Sequence, residues 1–386
     1  MPRKKVYIDV MKVVEQRIAA GDYMLKDLPG ERRLADEVGV SYMTARKAVH
    51  KLIEKKILAR RSNGSLVIHP GIGEKAAVAR VALLTPAYPS PHLIRCRLAI
   101  SEAATSRKIQ VRPVEYMHWH DPIVKEALEG SDAVMVIPST EPIPERLLAA
   151  FASRDHKVVF FDHDMSGHGI PSIRLFSKQH TVKVFEHLWS LGHRRIDCLN
   201  AQGHNEEIDR RIEEWRAWIG DRGIAGMLRD RPTPAYGDPL EQGYLAMREI
   251  LDGAAEKPGA IVCTTQPAAI GAIRACHEAG LLVGRDISIC TINNEPTGRY
   301  FCPSLTGLEM PDVEPLLEHC FAWFARPGEP WTGSLTLAPR RADFFVGEST
   351  GKPPARAGAL TTATRATVTA KRKKASCRRP LSPSRP

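Results

Sequence analysis

LPGERRLADEVGVSYMTARKAVHKL, residues 28–52, is the stretch from which the rest of the chain is read. It holds two short helical patterns that meet at a tight turn. In the first, Leu34, Ala35 and Val38 supply an apolar face while Glu31, Arg32, Arg33 and Asp36 point to water. Gly39 ends it, since the residue after a helix end often needs a positive φ. Ser41 is a good N-cap for the second, its hydroxyl accepting from a free backbone N–H. Beyond it Ala45, Val49, Leu52 and Ile53 share one side at helical spacing. Tyr42, Arg46 and His50 line the other side at i, i+4 steps, beside Met43 and Lys47. A guanidinium with a hydroxyl and apolar groups around it is what a major-groove reader needs. The spacing predicts a helix-turn-helix.

Upstream, Val6, Val10, Val13, Val14 and Ile18 form a helical stripe that Gly21 closes, which makes a third helix packed across the pair. Downstream, residues 57–61 and 65–68 read as strands around Ser62-Asn63-Gly64. Asn-Gly between such runs is a strong hairpin signal. Three helices and a basic hairpin predict a winged helix over residues 1–70. Arg60 and Arg61 of the wing are placed to meet phosphate, and Asn63-Gly64 is small enough to enter a minor groove.

Charge supports this placement. The chain of 386 residues carries a formal +11. Residues 1–69 hold 15 Lys and Arg against 8 Asp and Glu, and residues 352–386 hold 10 Lys and Arg with no acid, so the long middle is net acidic. Basic ends and an acidic middle suit nucleic acid at the ends and a small molecule between them. The 8 cysteines stand singly, most of them in apolar runs, which favours reduced core thiols over disulfides or zinc. The start, Met-Pro-Arg-Lys-Lys, lacks a following apolar region, and no run reaches membrane-spanning length, so a cytoplasmic protein is expected.

On these residues the N-terminal region resembles the GntR family of bacterial regulators. The match runs through Leu28-Pro29-x-Glu31-Arg32-x-Leu34-Ala35, then Gly39-Val40-Ser41-x-Met43-Thr44-x-Arg46-x-Ala48, and Gly64 of the wing. The resemblance implies DNA contacts at Arg32, Thr44, Arg46, Asn63 and Gly64, with Ser41 and Tyr42 at the head of the same helix. Tyr42 stands where the family usually has Arg. A phenol cannot make the bidentate guanine contact, so a different operator base is expected there.

After a short linker, residues 71–77, strands alternate with helices. Strand patterns at 78–85, near 110–115, and at 133–137, 157–162, 195–200, 260–263 and 287–290 alternate with helical patterns at 93–107, 121–128, 145–152, 177–191, 210–219, 240–251 and 268–279. Alternation of this kind implies a parallel sheet. Two such halves in series suggest a ligand cleft between strand ends.

Residues 78–351 resemble the sensor domain of the LacI family, which has the periplasmic-binding-protein fold. The residues that carry this are Phe161-Asp162-x-Asp164, His187-Leu188-x-x-Leu191-Gly192-His193-Arg194-Arg195-Ile196, Gly243-Tyr244-x-Ala246-Met247 and Gly271-Ala272-x-Arg274-Ala275. Gly280-Leu281-x-Val283-x-x-Asp286-Ile287-Ser288, Leu305-Thr306 and Gly347-Glu348-Ser349-Thr350 complete it. The resemblance implies an α/β fold of two lobes behind the winged helix, as in arabinose-repressor-like proteins, with chain crossings near 176, 300 and 338. It also implies a homodimer, and an effector site at Asp162 and Arg211. Gln266 and Asn293 take two positions that usually carry Asp, and Tyr88 and Trp215 are candidates to stack on an apolar sugar face. Loss of two anions favours a neutral or acidic sugar over an amino sugar.

Other constellations carry less. His118-Trp119-His120-Asp121 has two imidazoles on one strand face, yet Asp121-Pro122 more simply starts a helix. Phe161-Asp162-His163-Asp164 lacks the further ligands that a metal phosphohydrolase needs. Glu206, Glu207, Glu213 and Glu214 read as solvated helix charge. Phosphate loops and nucleophile elbows are missing, so an enzyme is not expected, nor a cofactor or metal. The tail 352–386, rich in Ala, Thr, Ser, Pro, Lys and Arg, is expected to be disordered. It either adds non-specific DNA affinity or is dispensable. The chain thus reads as an effector-responsive transcription regulator, most simply a repressor binding operator DNA. A solute receptor or sugar-acting enzyme is the second class, and a DNA-binding protein whose α/β domain only dimerises is the third.

Overall fold

The structure, a computed structural model, describes residues 6–19, 22–23, 28–61, 64–69, 79–107, 109–253 and 258–353. Its first three helices lie on the apolar stripes: α1 Val6–Ala19, α2 Glu31–Val38 and α3 Tyr42–Glu54. Gly39 takes φ 68° behind α2, and the Ser41 hydroxyl accepts from Thr44 N at the head of α3. Val10, Val14, Leu34, Ala48, Val49 and Leu52 meet in one core, closed beneath the wing by Leu58 and Leu66. Each large aliphatic side chain buried there contributes roughly 1.5–3 kcal/mol. Strand β1 Leu58–Arg60 pairs antiparallel with β2 Leu66–Ile68, Arg60 opposite Leu66. Asn63, the linker 71–77 and the tail from 354 onward lie outside the described residues.

Behind the winged helix stand two parallel sheets. The first contains β3 Arg80–Pro86, β4 Gln110–Tyr116, β5 Ala133–Val136, β6 Val158–Phe161 and β7 Ser172–Ile173. It is joined at its edge by β13 Thr336–Leu337, in the order β13-β7-β6-β5-β3-β4. The second contains β8 Asp197–Asn200, β9 Leu228–Asp230, β10 Ala260–Cys263, β11 Ser288–Asn294 and β12 Thr306–Glu309. With β14 Phe344–Phe345 it runs in the order β14-β12-β11-β10-β8-β9, and only β14 is antiparallel to its neighbour. Both sheets therefore share the doubly wound order 2-1-3-4-5, which leaves a crevice outside the carboxyl ends of the strands.

Helices cover both faces of each sheet. Helix α4 Pro91–Ser106 packs against α11 Glu314–Phe324, and α5 Pro122–Gly130 and α6 Glu145–Ala152 complete the first lobe. The second lobe has α7 Lys178–Ser190, α8 Glu206–Arg222, α9 Pro239–Gly253 and α10 Gln266–Glu278. Helices α9 and α10 cross at glycine: a Cβ on Gly271 would lie 2.2 Å from Leu240 O, and one on Gly243 2.6 Å from Ala268 O. One core runs from Val81, Ile100 and Phe161 through Phe176 at the crossing to Phe185, Trp215 and Val262.

The chain passes between lobes after Ile173 and again between Leu337 and Phe344, near the expected positions. The second crossing falls after Glu309 rather than near 300, because Thr306–Glu309 still pairs with β11. The winged helix touches the first lobe at edge strand β4, where Arg112 Nη1 meets Asp22 at 2.7 Å and Gln110 Nε2 donates to Ile18 O. Among the described cysteines six are buried free thiols and Cys302 is exposed. No helix among the described residues is long and apolar enough to cross a membrane.

Candidate functional site: a helix face and an interlobe cleft

Helix α3 buries Ala45, Ala48, Val49 and Leu52 and leaves Tyr42, Met43, Arg46, Lys47 and His50 exposed. That exposed row is the predicted groove-reading face. The Ser41 hydroxyl lies 2.9 Å from Thr44 Oγ1, so both are fixed at the helix start. Arg32 is exposed with its guanidinium 6.0 Å from the Tyr42 ring centroid. Among the described residues no ion pair engages Arg32 or Arg46, whereas Arg33 and Arg17 share Glu37 and Lys51 is held by Glu54. Gly64 takes φ 83° in the wing turn. Arg60, expected to meet phosphate, is exposed but already engaged. Its guanidinium is held by the Glu31 carboxylate and by Gly64 O, because β1 brings it back against the head of α2.

The cleft is built from the loops after the strand ends, and it encloses a cavity of about 160 Å³. Tyr88, Asp162, Arg211 and Asn293 of the predicted set line it, with His92, Thr265 and Tyr236 beside them. Asp162 follows β6 with φ 60°, a conformation that Asp tolerates better than most residues. At its side, His92 on the first turn of α4 reaches across the lobes. Its Nε2 is 2.7 Å from Asp162 Oδ2 and its Nδ1 is 3.0 Å from Glu295 Oε1. Burial works against charge on this imidazole, but Cys96 Sγ and Asp162 beside it prevail and hold its pKa well above the ordinary histidine value. Burial likewise opposes ionisation of Asp162. His92, then Arg211, outweigh it and keep the carboxyl below its usual range.

With both ring nitrogens protonated, His92 donates to a carboxylate of each lobe. Arg95 Nε stands 3.1 Å from the other oxygen of Glu295. Arg211 is buried in α8, donating to Thr264 O at 2.9 Å and to Glu207 at 3.3 Å. Glu207 and Glu214, read from sequence as solvated, are both buried around Arg210, which ion-pairs with each. Glu213 is exposed as expected, whereas Glu206, though exposed, accepts from Asp164 N of the first lobe at 2.8 Å. The charges at the cleft floor are thus balanced in pairs. Asp162 Oδ1, Asn293 Oδ1 and Thr265 Oγ1 are buried without a hydrogen-bond partner among the described residues. The Asn293 amide lies 3.2 Å from His92 Nδ1. Opposite a protonated nitrogen it is better turned, with Oδ1 toward the ring and Nδ2 toward the cavity.

Two predicted residues stand elsewhere. Trp215 is 2 % exposed, donates its indole N–H to Ile196 O and belongs to the core. Only the first turns of α8 face the cleft, and position 215 lies a turn too far along, over the sheet. Gln266 is buried beneath the cavity, donating to Asn294 Oδ1 at 2.9 Å and to Glu295 O at 3.1 Å, so it braces the loop after β11. Sequence reasoning missed His92, Glu295 and Tyr236. Tyr88 donates to Gly237 O of the second lobe and Tyr236 donates to Met117 O of the first, a reciprocal pair at the cleft mouth with ring centroids 6.3 Å apart. The loop at 118–121 shows no metal cluster among the described residues: Asp121 caps α5, and Trp119 is buried and stacked on Tyr116.

With this geometry in view, residues 7–68 match the family described as bacterial regulatory proteins, gntR family, and residues 185–314 match the periplasmic binding protein-like domain. The chain is similar to the HTH-type transcriptional regulator GanR of Bacillus subtilis, 27% identical over 203 residues, covering 51% of this chain and 58% of that protein. It is 42% identical over 120 residues to the HTH-type transcriptional repressor PurR of Erwinia tasmaniensis, covering 31% and 34%. It therefore spans less than two thirds of the length of these relatives. Among solved structures, a LacI family regulator from Mycobacterium smegmatis matches with TM-score 0.59 at 20% identity, covering 71% of this chain and 99% of that one. Another, from Enterococcus faecium and with bound ribose, matches with TM-score 0.58 at 18% identity, covering 70% and 98%. Likeness at such identity is one of fold. The chain joins a gntR-family winged helix to a periplasmic-binding-protein-like domain of the fold found in LacI-family regulators.

Proposed function

We propose that this chain is an effector-responsive transcription regulator, a repressor rather than an enzyme. It reads duplex operator DNA with α3 and the wing as one half of a symmetric homodimer, and it senses a neutral, hydroxyl-rich small molecule such as a sugar. The observation that carries this reading is the union, in one chain, of an outward polar row on a capped second helix, where Arg46 has no ion pair among the described residues, with a two-lobed cleft. Relatives named as transcriptional regulators and repressors support it.

The charge balance argues for a neutral ligand. Asp162 and Glu295 already hold His92, and Arg211 already holds Glu207, so a charged ligand would meet no free counter-charge. Asp162 Oδ1 is a leftover acceptor and Thr265 Oγ1 one that can also donate, so a ligand hydroxyl, able to do both, suits them. A buried polar group without a partner is costly, which favours a ligand that supplies one. These acceptors also weigh against a domain that only dimerises. For the two-fold, the exposed Tyr300 and Leu282 around the hollow lined by Ile273, Leu281 and Phe301 are the favoured contact, and Tyr300→Asp should lower the mass measured by light scattering.

Calorimetric titration of the full chain with glucose, ribose, glucuronate and glucosamine tests the ligand class. A neutral sugar should bind best and weaken in Arg211→Ala. Tighter binding of glucuronate or glucosamine would overturn the neutral assignment. Silence from all four would favour the reading in which the lobes only dimerise.

A further inference from the structure

We infer that Tyr42 is an acceptor-only base reader, locked in that role by Glu31, and that it selects an amino-bearing base, adenine or cytosine, in each operator half-site. The inference rests on the DNA-binding reading of α3 above.

Tyr42 is the first residue of α3, 39 % exposed, and residues at the start of a recognition helix are those that reach base edges. Its hydroxyl lies 3.1 Å from Glu31 Oε2. A carboxylate in an ion pair only accepts, so the phenol must donate, and it has one proton to give. Its acceptor is ionised, which fixes the direction of the bond. Glu31 is itself fixed. Its side chain is 12% exposed, and its other oxygen takes the Arg60 guanidinium, which in turn donates to Gly64 O at 3.0 Å. Helix α2, helix α3 and the wing thus meet at one carboxylate.

What Tyr42 presents to a groove is therefore lone pairs alone. In the major groove the exocyclic amines of adenine and cytosine are donors, whereas guanine O6 and N7 and thymine O4 are acceptors. A lone pair set against guanine or thymine would face another lone pair. The same arrangement keeps Tyr42 off the phosphates, since a phosphate drawn to its oxygen would also find no donor and would approach the Glu31 carboxylate. A free tyrosine has no such bias, because its hydroxyl rotates to donate or accept as the base requires. The selectivity belongs to the pair, not to the phenol.

The test is selection of duplexes from a random pool by the full chain and by Tyr42→Phe, Tyr42→Arg and Glu31→Gln, followed by affinity measurements on the selected site with each base in turn. The chain should enrich adenine or cytosine over guanine at one position per half-site, on the order of five-fold, as one net hydrogen bond allows. Tyr42→Phe should flatten that position and no other. Tyr42→Arg should turn it to guanine, and Glu31→Gln should bring the preference toward unity while sparing the rest of the site. Enrichment of guanine or thymine by the unaltered chain, or a Glu31→Gln variant with the same preference, would overturn the inference while leaving the DNA-binding reading standing. A pool with no enriched sequence would instead overturn that reading itself.

Discussion

The face of α3 and the floor of the cleft are both polar, and they are opposite in construction. On α3, Arg46, Lys47 and His50 stand in solvent and follow from local helical spacing. In the cleft, His92, Asp162, Arg211 and Glu295 are buried or nearly so, and they are paired across stretches of up to 203 residues. Exposed charge contributes little to folding, so it remains available to a polyanion. Buried charge must be paired to be tolerated at all. Polar groups of the first kind should therefore matter to binding and hardly to stability. Those of the second should matter to both.

The largest effect expected from this contrast is on Arg210. Arg210→Ala leaves Glu207 and Glu214 buried without their cation, and should cost about 3–5 kcal/mol of unfolding free energy in urea titrations. A loss below about 1 kcal/mol would place those carboxylates with the exposed class. Arg46→Ala is the counterpart. It should cost about 1–3 kcal/mol of operator affinity and leave the urea midpoint within about 0.5 kcal/mol of the unaltered chain. A variant that lost stability and affinity together would break the distinction.

A third, smaller effect is on pH. The folded pKa of His92 is raised above the value of about 6.5 that it has when unfolded. The stability it contributes is then fully present below that pH and is lost as pH rises through the folded value. Asp162 and Glu295 face the ring from the two lobes, Arg95 lies behind Glu295, and Cys96 and Asn293 flank it. Urea midpoints taken between pH 6 and 10 should fall more steeply for the unaltered chain than for His92→Gln. Parallel curves would mean that the ring is neutral. The smallest effect concerns the basic tail: ending the chain at residue 353 should flatten the salt dependence of non-specific DNA binding and leave the preference for operator nearly unchanged.

How much of this could be read in advance follows the same division. The three helices and the two wing strands were legible almost to the residue, because caps and apolar stripes are signals between near neighbours. The alternation that made two parallel sheets was legible for the same reason, while the two-residue edge strands β7, β13 and β14 are too short to leave a pattern. In the cleft, Asp162 and Arg211 could be singled out only by resemblance. Trp215 shares the face of α8 with Arg211, and spacing alone does not say where along that face the cleft ends. His92 had no signal at all. It follows Pro91 in a helix start that any polar residue would suit, and its meaning appears only when Glu295 arrives from the other lobe. The ion pair of Arg60 had no signal either, because a basic residue in a wing looks free until the fold sets Glu31 beside it.

The central claim is that the exposed row on α3 reads operator DNA. The most direct measurement is footprinting of genomic fragments by the full chain and by Arg46→Ala. The account predicts a discrete protected site with two-fold symmetric halves for the unaltered chain, and loss of that protection for Arg46→Ala at the same protein concentration. Protection without a defined site, or an identical footprint from Arg46→Ala, would contradict it.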